Sequence, residues 1–218
     1  MGKVLALVGM GPGVSAAVAR RFGREGFSVA ALARRIDALK EQTDALCATG
    51  ISARGYVADA SNPSQLSATL AEVEADHGGI DVLVYNAAGV SFKPLLQLSA
   101  TELMSDLGVS IGGALVAAQT VLPGMRKRGS GTLLFTGGGF AFEPMAAMAS
   151  LGVGKAGIRN LAFSLFADLK DTDLHACTVT ICGPVKPGTV FGPDLIADAY
   201  WKLHAQPKGS FERELMFK

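Results

Sequence analysis

The chain has 218 residues, enough for one domain with a sizeable core, and 49% of them are apolar against 18% charged, which excludes a disordered chain. A formal net charge of +1 gives no electrostatic reason to expect a nucleic acid or an acidic membrane surface as partner. The three cysteines Cys47, Cys177 and Cys182 form no CxxC pair and are odd in number, which argues against a disulfide framework and for a reducing, cytoplasmic compartment.

The opening stretch MGKVLALVGMGPG is a short apolar run broken by Gly and Pro, so it reads as a strand and turn rather than a signal peptide. Its strand is Val4–Val8. Helical spacing follows from Val14 to Glu25, with Val14, Val18, Ala19 and Phe22 on one face. Phe27–Leu32 is the next strand, and a polar helix runs from Ile36 to about Thr49, stopped by Gly50. Ser52–Val57 is a third strand. Asn62 or Ser61 caps a helix that ends at His77 before Gly78-Gly79. Ile80–Val84 is unbroken apolar sequence, as expected of a strand covered on both faces.

The second half continues the alternation. A helix is expected over Thr101–Met125, then a basic turn, a strand at Thr132–Thr136 and a helix at Leu151–Lys170. Cys177–Cys182 is a strand, Asp194–His204 a short helix, and FERELMF a last strand at an edge. No apolar run reaches the ~18 residues of a membrane-spanning helix. Strand–helix alternation with short connections and no linker implies one α/β domain over 1–218, a doubly wound parallel sheet of Rossmann type with helices on both faces.

The turn LVGMGPGVS carries Gly9, Gly11 and Gly13 between the first strand and the first helix. Glycines there let a ligand approach the backbone, and the helix N-terminus presents free amides that suit a pyrophosphate. The spacing is Gly9-x-x-x-Gly13-x-Ser15, since Val14 stands where a G-x-G-x-x-G motif needs its last glycine.

This spacing resembles the G-x-x-x-G-x-G loop of the short-chain dehydrogenase/reductase family, with Ser15 for the third glycine and a hydroxyl that reaches toward a phosphate. The resemblance extends over most of the chain. ALARR (31–35) ends the second strand, where an acid would bind a ribose 2′-hydroxyl; Ala33 stands there, and Arg34 and Arg35 suit a 2′-phosphate. NADP(H) is therefore the preferred cofactor implied, with NAD(H) as the alternative. Asp59 in VADAS is similar to the family's adenine-contacting turn. Asn86, Ala87, Ala88 and Gly89 are similar to its N-N-A-G motif, and Pro184 and Thr189 to its P-G-x-x-x-T segment beside the nicotinamide.

The same resemblance places the family's Tyr-x-x-x-Lys pair at Leu151 and Lys155, its serine at Gly138 and its asparagine at Ser110. Lys155 matches; the other three catalytic side chains do not. Lys155 then implies a ribose ligand, and Glu143, Lys155, Thr136 or Ser150 remain as sources of a proton. The tyrosines Tyr56, Tyr85 and Tyr200 all lie far from this helix in sequence. His175 and His204 read as surface residues, and no metal-ligand spacing is seen. After Thr189 the expected lid over the substrate is short.

Two readings stay open: an NADP-dependent oxidoreductase with a non-standard site, acting on a carbonyl, alcohol or activated alkene of unknown identity, and a non-catalytic NADP(H)-binding sensor or regulatory protein. The apolar helices 101–125 and 151–170 imply a homo-oligomer, dimer or tetramer, with no nucleic acid or membrane as partner.

Overall fold

Val4–Val8 (β1) is buried along its whole length and sits in mid-sheet. It pairs in parallel with Ser28–Ala33 (β2) on one side and Val82–Tyr85 (β4) on the other. The computed structural model describes residues 2–218. Within them Ala53–Val57 (β3), Gly131–Gly138 (β5), Leu174–Ile181 (β6) and Glu214–Phe217 (β7) complete a seven-stranded parallel sheet in the order β3-β2-β1-β4-β5-β6-β7. The chain order reverses between β1 and β4. In sheets of this kind that reversal opens a crevice at the carboxyl ends of the strands.

Parallel strands need crossovers, and the helices supply them. Val14–Arg24 (α1), Ile36–Cys47 (α2) and Pro193–His204 (α7) belong to one face, where Leu5, Leu7, Phe22, Val179 and Tyr200 share a core. Pro63–His77 (α3), Gly113–Arg128 (α5) and Ala149–Asp168 (α6) cover the other, over Ala6, Leu70, Leu83, Phe135 and Ala162. Asn62 is the cap of α3, accepting from the Gln65 amide at 3.1 Å, and Gly78 closes it in the left-handed conformation.

The helix expected over 101–125 is two helices. Ala100–Leu107 (α4), closed at its start by a capping box from Ser99 and Glu102, leads into a π-helical turn, Gly108–Gly112, and then α5. The cause is Tyr85. Its hydroxyl donates to the Val109 carbonyl, so the Gly113 amide reaches back to Gly108 instead. Gly113 permits this, because a Cβ there would stand 2.3 Å from the Tyr85 oxygen. Ala100–Arg128 is long and apolar enough by composition to cross a membrane, yet Ala114, Ala117, Ala118 and Val121 are spent on the sheet core.

Of His175 and His204, both read as surface residues, the first is in the interior and the second is partly buried. His175 is 1% exposed and stacks on Phe211 at 4.3 Å, and the His204 ring shares a hydrogen bond with Thr132 Oγ1 at 3.0 Å. Desolvation is the main cause that pushes His204 down to about 4. Strand spacing and helix spacing place them inward, a consequence of which neighbours cover β5 and β6 that composition does not reveal. The edge strand β7 is pinned by the two-pronged pair from Arg159 of α6 to Glu214, at 2.7 and 2.6 Å.

Candidate functional site

The crevice begins at the loop after β1. Gly9 has φ +90°, and a Cβ on it would stand 2.5 Å from the Ala87 nitrogen. Only glycine lets the loops after β1 and β4 come this close. The Ala16 and Ala17 amides are taken by the Gly11 and Gly13 carbonyls at 3.1 and 3.3 Å. The amides of Val14 and Ser15 therefore face forward with no intrahelical partner. A Cβ on Gly11 or Gly13 would meet no protein atom within 4 Å. The glycines thus leave open a backbone-lined cradle that fits a pyrophosphate. Ser15 has a different role from the one its hydroxyl suggested. That hydroxyl is buried, donates to the Gly9 carbonyl at 2.7 Å and accepts from Asn86 Nδ2 at 2.7 Å. It latches the loop to the end of β4; only its amide faces the cradle.

On one side of this cradle lies a groove of about 950 Å³ lined by Arg34, Arg35, Asp59, Ala87, Ala88 and Gly89. Arg34 and Arg35 are exposed, and among the described residues neither has a carboxylate within 4.0 Å. Asp59 Oδ1 accepts from the Ser61 amide at 2.9 Å and its hydroxyl at 2.7 Å, which hold the carboxyl below its usual range, with Arg34 adding to the effect.

On the other side is a cavity of about 1200 Å³, which Asn86 joins to the first by lining both. Helix α6 delivers Leu151 and Lys155 to it one turn apart. Gly138, Glu143, Val14 and Pro184 line the same space. Lys155 Nζ donates to the Thr136 carbonyl at 2.7 Å. Burial with no carboxylate beside it pushes the amine down to about 8.

The hydroxyls considered as proton sources are turned away from the cavity: Ser150 is fully buried outside its lining, and Thr136 bonds behind the sheet. Thr136 Oγ1 bonds the Tyr200 hydroxyl at 2.6 Å behind the sheet, and Ser150 Oγ accepts from the Ser91 amide at 3.1 Å. Ser110 Oγ accepts from the Gly89 amide at 3.0 Å, which ties the π turn to the loop after β4. Thr189 lies outside the cavity lining, with its hydroxyl donated to the Lys186 carbonyl at 2.8 Å, so the last motif contributes Pro184 and Val185 to the lining and not its threonine. Among the described residues no tyrosine lines either space. The cavity also holds Phe140, Phe142, Met145, Ile181, Phe191 and Met216, none of which carries a sequence signal for a site.

A sequence model of the short chain dehydrogenase family matches residues 3–192. The chain belongs to that family of oxidoreductases. It is 28% identical over 210 residues to 2,3-dihydro-2,3-dihydroxybenzoate dehydrogenase of Bacillus subtilis (strain 168), covering 96% of this chain and 76% of that one. NADP-dependent 3-hydroxy acid dehydrogenase YdfG of Shigella flexneri is 29% identical over 194 residues, 88% of this chain and 74% of its own. Among solved structures, a metagenomic short-chain oxidoreductase in complex with NADP superposes with a TM-score of 0.88 at 26% identity, covering 98% of this chain and 96% of that one.

Proposed function

We propose that this chain binds NADP(H) and reduces a carbonyl or an activated alkene with a proton donor other than a tyrosine. The observation that carries the reading is Lys155, held by the Thr136 carbonyl inside a cavity that continues the glycine cradle. NADPH, when bound, supplies hydride. The protein's part is to place it: the free amides of α1 face the pyrophosphate, Arg34 and Arg35 face the 2′-phosphate, and the Lys155 ammonium holds the ribose hydroxyls. Leu151 has no proton to give, and Gly138 no hydroxyl to orient an oxygen. The acid is then Lys155, whose value of about 8 leaves it mostly protonated at neutral pH, or Glu143 across the cavity.

The unpaired arginines support NADP(H) over NAD(H). Replacing Arg34 with Ala is expected to weaken NADPH binding about tenfold or more and to leave NADH binding nearly unchanged, as read by calorimetric titration. Equal losses for the two cofactors would remove Arg34 from the phosphate site.

A second reading is favoured by the missing hydroxyls: a protein that binds NADP(H) and performs no turnover, acting as a sensor or regulatory partner. Following NADPH absorbance over broad panels of ketones, aldehydes and enones separates the two. Oxidation of NADPH with any of them supports the reductase; intact binding with no turnover supports the sensor.

Met104 of α4, Leu115 of α5 and Val153 of α6 are 65%, 39% and 45% exposed, which supports self-association through these helices. Light scattering behind size-exclusion chromatography is expected to give a dimer or tetramer mass, and a monomer at micromolar concentration would exclude it.

A further inference from the structure

The wall of the cavity beyond Lys155 carries chemistry of its own. Phe142, Met145, Val185 and Met216 are 45%, 48%, 42% and 39% exposed, and all four line this one space. They come from three separate parts of the chain: the connection from β5 to α6, the loop after β6, and β7. Large apolar side chains left exposed cost solvation free energy, and their convergence on one concave surface marks a binding wall. Phe140, Leu151, Ile181 and Phe191 continue it inward.

The convergence has local causes. In β7 successive side chains alternate between faces. Leu215 and Phe217 pack into the core under α7, while Glu214 bonds Arg159 of α6, so Met216 is set on the same face as α6 and reaches the cavity. The Arg159 guanidinium lies 4.7 Å from the Phe142 ring centre and steadies that ring. Leu151 and Gly138 remove two polar positions from the floor. The charged side chains lining the cavity are Glu143, Lys155 and Lys218. No guanidinium is among them, and a planar two-pronged clamp on a carboxylate needs one.

We infer, resting on the reductase reading above, that the substrate is a bulky, hydrocarbon-rich ketone or enone, aromatic or polycyclic, whose one polar group is the oxygen presented toward Lys155. Small hydrophilic carbonyls such as oxo acids are disfavoured by the same wall, which desolvates them and offers only the ammonium groups of Lys155 and Lys218, with no guanidinium, in return. In this the chain differs from relatives whose names specify hydroxy acids or a dihydroxybenzoate.

The test is equilibrium binding of 1-tetralone, a bicyclic aromatic ketone, and of acetoacetate to the protein saturated with NADP⁺. Tetralone is expected to bind at least about tenfold tighter. Met145→Glu and Met216→Glu are each expected to weaken tetralone about tenfold with NADP⁺ affinity unchanged; both side chains are exposed, so neither change disturbs the core. Acetoacetate binding as tightly as tetralone, or both variants keeping wild-type tetralone affinity, would overturn the inference. NADPH oxidation with acetoacetate and none with tetralone would do the same while leaving the reductase reading in place. Tetralone bound with no NADPH oxidation by either ketone would count against the reductase reading and leave the apolar substrate wall standing.

Discussion

The double variant Leu151→Tyr, Gly138→Ser is expected to reduce simple carbonyls with NADPH about 10²–10⁴-fold faster than the wild-type chain. The geometry permits both side chains. Leu151 is partly exposed on the cavity wall, so a phenol there extends into the space of about 1200 Å³ rather than into the core. A Cβ on Gly138 would make its nearest contacts at 3.4 Å with the stem of Lys155, an ordinary van der Waals distance. Lys155, one turn along α6, would then favour the ionised phenol by its charge and so bring the acid nearer to neutral pH. The serine hydroxyl introduced by Gly138→Ser would supply an oxyanion donor where the backbone now offers only a glycine. Initial rates of NADPH oxidation read the effect. If the double variant binds NADPH as the wild type does and gains nothing, the cavity does not hold a carbonyl beside Leu151. If the wild type is already as fast, the proton comes from Lys155 or Glu143 with full efficiency.

Lys155→Met is expected to move binding and stability in opposite directions. The ammonium is partly buried on the cavity wall with the Thr136 carbonyl as its partner, and desolvation lowers the amine from 10.5 to about 8. Below pH 8 the native amine is charged and the cost of burying it is fully present, on the order of 2–3 kcal/mol. Between 8 and 10.5 the unfolded chain binds the extra proton, so stability rises with pH through that window and the cost is relieved above it. Methionine fills a similar volume without a charge. The lost bond to Thr136 offsets part of the gain, leaving about 1–2 kcal/mol at pH 7, or roughly 2–8 °C in Tm. The difference between variant and wild type should shrink as pH rises from 8 toward 10. NADPH affinity should fall about tenfold or more with the loss of a charged donor. Parallel Tm curves across that pH range would show that the amine is not desolvated, and unchanged NADPH affinity would show that it does not hold the ribose.

Much of the architecture was legible before any coordinates. Alternating apolar runs and helical spacing located all seven strands and the crossover helices; burial on both faces leaves an unbroken apolar signature in β1 and β4, while the edge strands β3 and β7 were legible only from their place in the alternation. The Gly9-to-Ser15 turn, the N-A-A-G loop and the pair Leu151/Lys155 were legible through spacing. Helix 101–125 was misread as continuous, since the π turn depends on a tyrosine hydroxyl from β4, some 24 residues away in sequence. Hydroxyl-bearing residues were misjudged for the same reason: Ser15, Thr136 and Ser150 look available in sequence, and each bonds a group that only folding brings near, the Gly9 carbonyl, the Tyr200 hydroxyl and the Ser91 amide.

The sequence by itself determined the family, the parallel sheet, the open glycine cradle and the absence of a phenol at the start of α6, since each rests on residue type and local spacing. Tertiary structure decided which donors are already satisfied, how far burial lowers the Lys155 amine, and that Phe142, Met145, Val185 and Met216 form one wall. Hydrogen-bond satisfaction, desolvation and surface convergence are properties of neighbours in space. Four residues spread over positions 142 to 216 carry no mark of their meeting until the strands pair and α6 closes beside them.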